Sequence, residues 1–195
     1  MATEVQRIDL ACYAKHKQDP TNPILGLGKP DARWCFFGRD PGEKEVQRQK
    51  PFTGPSGERI RAVMRECGLS HDDIFWMNTV PFKPIGNKKW PMGVVRKCHP
   101  ILLELLANWQ GKDVITFGVQ ALEWFGLSSP ENRRSIALFQ KRADKFTSQL
   151  QVVLSIKGVE RRFVLHPVPH PSGLNRAWSS QFDHLLKARL QRTHA

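Results

Sequence analysis

The sequence alternates short apolar runs with amphipathic helical patterns, and this alternation restricts the possible folds more than any other feature. Strand-like runs are predicted over 33–38, 73–80, 113–118, 150–156 and 161–165, the last two flanking a hairpin turn with the sequence KGVE. Helical patterns are predicted within the first 30 residues and over 56–67, 94–109, 119–125 and 175–191. This order indicates a mostly parallel sheet with helices on both faces.

Length and charge restrict the function. The 195 residues, 40% of them apolar, fit one domain of ordinary size, so we expect residues 1–195 to form a single domain and a monomer. The formal net charge of +12 favours a polyanionic partner, which is nucleic acid or, less favoured, an anionic membrane surface. The sequence shows neither a secretory signal nor a long apolar run, so we expect a soluble, cytoplasmic protein.

The cysteine pattern argues against a metal site. Cys12, Cys35, Cys67 and Cys98 form no C-x-x-C pair, so a zinc site is not expected. In a reducing compartment, buried or incidental thiols are the favoured interpretation.

The loop after the first predicted strand carries an ionisable group. In the segment WCFFGRDPGE, an apolar run ends at Gly38 and Asp40 follows within a glycine- and proline-rich turn. The carboxyl ends of parallel strands are where such sheets bind ligands. Asp40 is therefore either a turn former, as Asp before Pro often is, or a reactive group that faces a pocket.

Two more segments place polar groups at the same edge. In PFTGPSG, Ser56 comes just before a helix, where it either caps the helix or helps backbone amides to hold a phosphate. In FWMNTVPFKP, Asn78 ends an apolar run and either bonds to nearby backbone or presents its amide to a bound base.

The segment after the last predicted strand, HPVPHPSGLNR, carries two histidines. His166 and His170 are either ordinary loop residues or, for His170 at the tip of the loop, a reactive group. Metal ligation is not expected, because no third ligand has motif spacing. A basic segment, 131–146, is either a solvated surface or a contact to a phosphate backbone.

Taken in order, these four motifs resemble those of the uracil-DNA glycosylase superfamily over roughly residues 34–189. The layout is most similar to that of the iron-sulfur-type family, although Arg39 stands where that family has an acidic residue. Asp40 instead matches the acid of the best-known uracil-DNA glycosylases. The resemblance implies a three-layer α/β/α fold with a central, mostly parallel four-stranded sheet, and uracil-containing DNA as partner.

Two departures from the family patterns matter. The iron-sulfur family binds its cluster through four cysteines; Cys12 and Cys98 match two of them, but Lys15 and Phe82 occupy the other positions. Two thiolates do not complete such a site, so we expect no cluster, metal or other cofactor. Gly42 stands where the best-known family has a tyrosine that excludes thymine, so thymine either is rejected by other residues or is accepted.

The resemblance assigns roles to individual residues. Asp40 would orient or deprotonate a water, and His170 would donate a hydrogen bond to uracil O2 as the base leaves. Phe52 would stack on a flipped base and Asn78 would pair with its edge. Gly38 and Arg39 are also expected in the base site.

A further set of residues is expected to bind DNA. Leu174 would be a wedge that fills the gap left by the flipped nucleotide. The phosphate and backbone contacts would come from Ser56, Ser172, Gly173 and Arg176.

The sequence predicts a glycosylase that removes uracil from DNA and leaves an abasic site. Three other functions stay open: a glycosylase for hypoxanthine or other deaminated bases, a module that binds uracil-DNA without turnover, and a small hydrolase of nucleotides or other phosphorylated metabolites.

Overall fold

The computed structural model describes residues 7–172 and 176–191, without the side chains of residues 176 and 177. The α-helices in these ranges are α1 Leu10–Lys15, α2 Glu43–Arg48, α3 Pro55–Glu66, α4 Met92–Ala107, α5 Val119–Trp124, α6 Pro130–Gln140, α7 Arg176–Ser179 and α8 Phe182–Gln191. Short 3-10 helices are present at His71–Asp73, Ile85–Asn87 and Phe125–Leu127.

The described strands form one sheet. They are β1 Trp34–Gly38, β2 Ile74–Asn78, β3 Asp113–Phe117, β4 Leu150–Ile156 and β5 Val159–Val168. Within the described residues the sheet has five strands in the order β2-β1-β3-β5-β4, and only the β4–β5 pair is antiparallel. The expected four-stranded sheet is therefore wrong by one strand, because both strands of the hairpin join the sheet.

Side chains that alternate along the strands build a core on each face of the sheet. In β1, Trp34 and Phe36 pack on one face, against α3 and α8. Cys35 and Phe37 pack on the other face, against α4, α5 and α6. This alternation is the period-two pattern of a strand covered on both sides. The result is the three-layer α/β/α arrangement that the sequence predicts.

Helix α3 shows how the sequence fits this layering. Its buried residues Ile60, Val63 and Met64 are spaced three and four positions apart, which places them on one face of a helix. Arg61 is half-buried and Arg65 is exposed, so α3 covers the sheet with an apolar stripe that charged residues flank.

The carboxyl-terminal region differs from the prediction in two ways. The last helical pattern, 175–191, divides into α7 and α8. Strand β5 also runs three residues further than expected, to Val168, so His166 lies in the sheet and not in a loop. His166 is buried and its Nε2 lies 2.8 Å from Asp113 Oδ1, which makes it a structural residue.

The strand order has a switch point beside β1. From β1 the chain proceeds to β2 on one side, and β3 then pairs with β1 on the other side. In open α/β sheets, the crevice at the carboxyl ends of such strands is where ligands bind. No helix within the described residues is long and apolar enough to cross a bilayer.

Candidate active site

A cavity of about 490 Å³ opens at the carboxyl edge of the sheet, beside the switch point. The loops after β1 and β5, the ends of β2 and β3, and the start of α3 all contribute to it. The residues that line it are Gly38, Arg39, Asp40, Pro41, Gly42, Glu45, Phe52, Gly54, Pro55, Ser56, Gly57, Asn78, Asn87, Phe117, His170, Pro171 and Ser172. Asp40 and His170, which are 130 positions apart in the sequence, therefore face one cavity.

Gly38 and Asn78 lie side by side at the floor of the cavity. They are paired in the parallel register of β1 and β2. A Cβ on Gly38 would lie 2.6 Å from Asn78 Oδ1 and 2.6 Å from Phe52 Cζ, so only glycine allows both side chains to approach the strand end. Within the part of the chain that the structure describes, no side-chain hydrogen bond holds the Asn78 amide. Because Asn78 also lines the cavity, its donor and acceptor are available to a ligand.

Phe52 is held in place by aromatic and backbone contacts. Its ring lies 5.1 Å from that of Trp76 and 5.7 Å from that of Phe117, and 7% of the residue is exposed, toward the cavity. The Phe52 backbone has a φ of 55°, in the left-handed region. Arg61 donates a hydrogen bond to the Phe52 carbonyl and lies over the Trp76 ring. Phe52 is thus a fixed aromatic surface.

The start of α3 approaches this loop closely. A Cβ on Gly57 would lie 1.7 Å from the Phe52 carbonyl oxygen, so a side chain there is incompatible with the observed packing. Gly54 is the N-cap residue and Pro55 is the first residue of the helix. The interpretation of Ser56 as an N-cap is therefore wrong; Ser56 lies in the first turn and lines the cavity.

Asp40 forms a two-point ion pair with its neighbour. Arg39 Nε lies 2.5 Å from Asp40 Oδ1, and Arg39 Nη2 lies 3.0 Å from Oδ2. The same Nη2 donates to the Asn87 carbonyl oxygen at 2.9 Å, which ties the β1 loop to the loop after β2. Only 3% of the Asp40 side chain is exposed. Burial raises the pKa of the Asp40 carboxyl, and the hydrogen bonds and charge of Arg39 oppose that rise.

Glu45 is a structural carboxylate within the cavity wall. Its Oε2 accepts the Gly42 amide at 3.1 Å and its Oε1 accepts the Gly54 amide at 2.8 Å, so it joins the two glycine loops. Glycine followed by Glu three positions later at a helix start is a capping pattern, visible in the sequence. Glu43 lies at the surface, where Lys15 and His16 contact it. Asp40 differs from Glu45 in that its oxygens pair with a side chain, that of Arg39, and do not join two backbone segments.

His170 is held as a neutral imidazole. The Ser172 amide donates to His170 Nδ1 at 3.2 Å, so the neutral ring carries its proton on Nε2. Burial, with a smaller contribution from the charge of Arg39, lowers the pKa of His170 to about 4. The His170 Cβ lies 3.3 Å from the position of a Cβ on Gly118, a residue with a φ of 84°. The ring is thus a hydrogen-bond donor at neutral pH.

Arg59 on α3 was not identified from the sequence. Its guanidinium donates to the Pro171 carbonyl at 3.2 Å and to the Ser179 carbonyl at 2.5 Å. It also contacts Asp183 Oδ1 at 2.7 Å and lies over the Phe182 ring at 4.9 Å. These contacts connect α3, the His170 loop and the last two helices. No local signal predicts them, because the partners are more than 110 positions away.

Several of the expected DNA contacts have no structural description. Gly173 and Leu174 lie outside the described residues, as does the side chain of Arg176. Ser56 and Ser172 line the cavity. In the basic segment, residues up to Gln140 belong to α6 and the remainder forms turns.

The residues at the expected cluster positions do not fit an iron-sulfur group. Lys15 Nζ pairs with Glu43 Oε1 at 2.7 Å, and Phe82 packs against the apolar core. Cys12 is buried, Cys98 is half-buried, and no three His, Cys, Asp or Glu side chains of the described ranges are grouped to hold a metal. The side chains of Lys15 and Phe82 end in an ammonium and a benzyl group, so neither position supplies a thiolate for a cluster.

Comparisons with known proteins agree with this geometry. A family model described as the Uracil DNA glycosylase superfamily matches residues 25–193. The chain is 26% identical to a Type-4 uracil-DNA glycosylase of Sulfurisphaera tokodaii over 78% of its own length and 65% of that protein. It is 30% identical to the Type-4 uracil-DNA glycosylase of Thermotoga maritima over 54% of its own length and 55% of that protein.

A third relative, the Type-4 uracil-DNA glycosylase of Saccharolobus solfataricus, is 32% identical over 50% of this chain and 45% of the relative. The matched region thus spans about half to two thirds of the length of these curated relatives. The match covers the cavity-lining loops and strands, because they fall within residues 25–193.

Proposed function

Because the chain belongs to the uracil-DNA glycosylase superfamily, we propose that it excises uracil from DNA by hydrolysis of the N-glycosidic bond. The observation that carries this proposal is the convergence of Asp40, His170, Asn78 and Phe52 on one cavity large enough for a nucleobase. A base in duplex DNA is inaccessible, so the nucleotide has to rotate out of the stack to enter this cavity.

Recognition of the base rests on Phe52 and Asn78. The fixed Phe52 ring offers a stacking surface, an interaction that contributes about 1 to 3 kcal/mol per base. The Asn78 amide donates to uracil O4 and accepts from N3–H. Cytosine presents the opposite pattern at this edge, so it would leave buried groups unpaired, and such mismatches are strongly rejected.

Cleavage leaves positive charge on the sugar and negative charge on the departing base. The Asp40 carboxylate stabilises the sugar side and orients or accepts a proton from the attacking water. The C1′–N1 bond breaks with its electron pair moving to uracil, and the water oxygen forms the new bond to C1′. The sugar then carries a hydroxyl, and the site is abasic.

His170 acts on the leaving group. With Nδ1 occupied by the Ser172 amide, Nε2–H is the donor left for uracil O2. A preorganised donor of this kind is worth about 100- to 1,000-fold in rate. A neutral imidazole donates this hydrogen bond at physiological pH without first having to lose or gain a proton.

The test is release of free uracil from an oligonucleotide that contains a single uracil. Asp40→Asn removes the carboxylate charge but keeps its size, and His170→Ala removes the donor. We expect each variant to slow single-turnover release by about 100-fold or more. Lys157→Gln, on the hairpin turn away from the cavity, serves as the matched surface control.

The outcomes separate the remaining candidates. Retention of uracil-DNA without base release would indicate a binding module, and cleavage of free nucleotides with indifference to DNA would indicate a nucleotide hydrolase. Oligonucleotides with hypoxanthine or thymine, tested in the same assay, define the range of bases. Unchanged rates in both variants would overturn the roles given to Asp40 and His170.

A further inference from the structure

A second groove lies beside the base cavity and shares a loop with it. The loop between β2 and α4 contributes Asn87 to the base cavity and Ile85 and Lys88 to this groove, which has a volume of about 380 Å³. Arg7 and Lys89 also line it. We call this feature the basic groove. Asn87 and Lys88 are consecutive residues, so the same loop forms a wall of both the cavity and the groove.

The groove has a rigid base. Trp90 is 2% exposed, and its indole N–H donates to a backbone carbonyl of the same loop. Buried Lys83 pairs with Asp9 at 2.6 Å, and the Ile85 amide donates to the Arg7 carbonyl at 3.0 Å. These contacts hold the segment that carries Arg7 against the loop. The groove is therefore a preformed surface and not a chance gap between side chains.

The charge of the groove has one sign. Arg7, Lys88 and Lys89 are exposed, and no acidic residue is among those that line it. Lys89 lies 3.8 Å from Glu123, outside the lining, and in the described ranges Arg7 and Lys88 have no ion pair. Such a row of cations suits a polyanion with regularly spaced charges.

We propose that the basic groove binds the phosphodiester backbone of the damaged DNA strand on one side of the flipped nucleotide, with Arg7, Lys88 and Lys89 as phosphate contacts. This inference rests on the proposed function, because it takes the base cavity as the site of a nucleotide that is still part of a strand. Ile85, 49% exposed, offers an apolar contact to a sugar or base between the phosphates. A protein or a free nucleotide would not need continuity with the base cavity; a DNA strand does.

The experiment is the salt dependence of binding. In the full chain, Arg7, Lys88 and Lys89 are changed together to Gln, and the dissociation constant for a uracil-containing oligonucleotide is measured between low and physiological salt. Each phosphate contact adds roughly 0.7 to 0.9 to the slope of log affinity against log salt. We therefore expect the slope to flatten by about two to three and the low-salt affinity to fall by more than tenfold.

A matched control removes the same charge elsewhere. Lys112, Lys157 and Arg162 are exposed and lie at the amino end of β3 and in the β4–β5 hairpin, away from the cavity edge. The triple change of these residues to Gln alters the net charge equally. We expect its affinity and salt slope to stay close to those of the unchanged protein. Circular dichroism and thermal unfolding of both triple variants check that each is folded.

Local neutralisation of the DNA tests the position of the strand. Methylphosphonates that replace three phosphates on one flank of the uracil remove charge without changing the bases. We expect methylphosphonates on one flank, and not on the other, to weaken binding of the unchanged protein. The same methylphosphonates should have little further effect on binding by the variant changed at Arg7, Lys88 and Lys89. The proposal would be overturned if the two triple variants had the same affinity and salt slope. It would also be overturned if methylphosphonates on either flank weakened binding by the groove variant as much as binding by the unchanged protein.

This outcome is separable from that of the proposed function. If the unchanged protein binds DNA through the groove but releases no base, the glycosylase proposal fails and the groove stands. If it releases uracil and the groove variant matches the control, the groove fails and the glycosylase stands.

Discussion

Among single residues, Gly57 has a structural role that follows from its missing side chain. Its backbone approaches the Phe52 carbonyl so closely that a Cβ would lie 1.7 Å from the oxygen. Gly38 has a similar role at the floor of the cavity, where it admits Asn78 and Phe52. Two glycines on different elements thus shape the cavity that is proposed to hold the base.

Gly57→Ala should therefore disturb the base site. We expect the Phe52 loop to shift, with a loss of about 1 to 3 kcal/mol in the free energy of unfolding and reduced uracil release. Gly93→Ala is the matched control, since no atom lies within 4 Å of its added Cβ, and its effect should stay within about 0.5 kcal/mol. Urea unfolding monitored by tryptophan fluorescence measures the free energy of unfolding of both variants. A Gly57→Ala protein as stable and active as Gly93→Ala would contradict this packing argument.

Arg39 affects the pKa values of both Asp40 and His170. Its guanidinium opposes the burial that raises the pKa of Asp40, and its charge also lowers the pKa of His170. Lys83 and Glu45 act on Asp40 as well, in opposite directions. The proposed mechanism needs Asp40 ionised and His170 neutral, so both groups have to be deprotonated. Activity should consequently fall as the pH drops through their pKa values.

Arg39→Gln should move this acid limb to higher pH. Loss of the guanidinium raises the pKa of both Asp40 and His170. The single-turnover rate is measured against pH at saturating DNA, and we expect the midpoint of its acid limb to rise by on the order of one pH unit. Arg134→Gln, a change at an exposed arginine of α6, should leave the limb in place. If Arg39 served only to bind DNA, its loss would lower affinity at every pH and leave the limb unmoved.

Among the elements, α3 connects the two halves of the site. Its start carries Gly57 against Phe52, and two residues later Arg59 holds the Pro171 carbonyl of the His170 loop. The same helix packs on the sheet through Ile60 and Val63. Because one helix contacts both walls of the cavity, we expect the positions of the Phe52 ring and of the His170 imidazole to be coupled.

Arg59→Gln should loosen that connection. We expect a loss of about 1 to 2 kcal/mol in the free energy of unfolding, because the Pro171 and Ser179 carbonyls lose a charged donor. Uracil release should slow through kcat more than through KM, since His170 becomes less well placed. Arg65→Gln, at an exposed position on the same helix, is the control. Equal kinetics of the two variants would show that Arg59 does not position the loop.

Over the whole molecule, the amino-terminal segment is attached by an ion pair and by packing. Lys83 is buried and binds Asp9, the N-cap residue of α1. Tyr13 of the same helix is fully buried. The Lys83–Asp9 ion pair holds α1 against the loop after β2. Removal of either residue would leave the charge of the other uncompensated.

Because Lys15 and Phe82 supply no thiolate at the expected cluster positions, the protein should hold no iron. We expect anaerobically purified protein to show no metal by mass spectrometry and no visible absorbance, and chelators to leave uracil release and the unfolding temperature unchanged. Asp9→Ala should instead lower the unfolding temperature, because the buried Lys83 ammonium would lose its carboxylate partner. Stoichiometric iron, or unfolding by chelator, would contradict this expectation.

Much of the fold follows from local patterns in the sequence. The sequence combines apolar runs such as Trp34–Gly38 with the amphipathic spacing of α3. Together these patterns indicate a sheet that helices cover on both faces. The sequence therefore determined the α/β class and the edge at which Asp40 and Asn78 would meet. It also determined that Lys15 and Phe82 leave a four-cysteine site incomplete.

Tertiary structure decided what depends on contacts between distant segments. Arg39 is adjacent to Asp40, yet only the folded loop shows that both carboxylate oxygens are paired. Arg59 reaches Pro171 across 112 positions, and the Ile85 amide binds the Arg7 carbonyl, which places Arg7 beside the loop that carries Lys88. Burial and Coulomb interactions depend on spatial neighbours, so pKa values and grooves cannot be read from order along the chain.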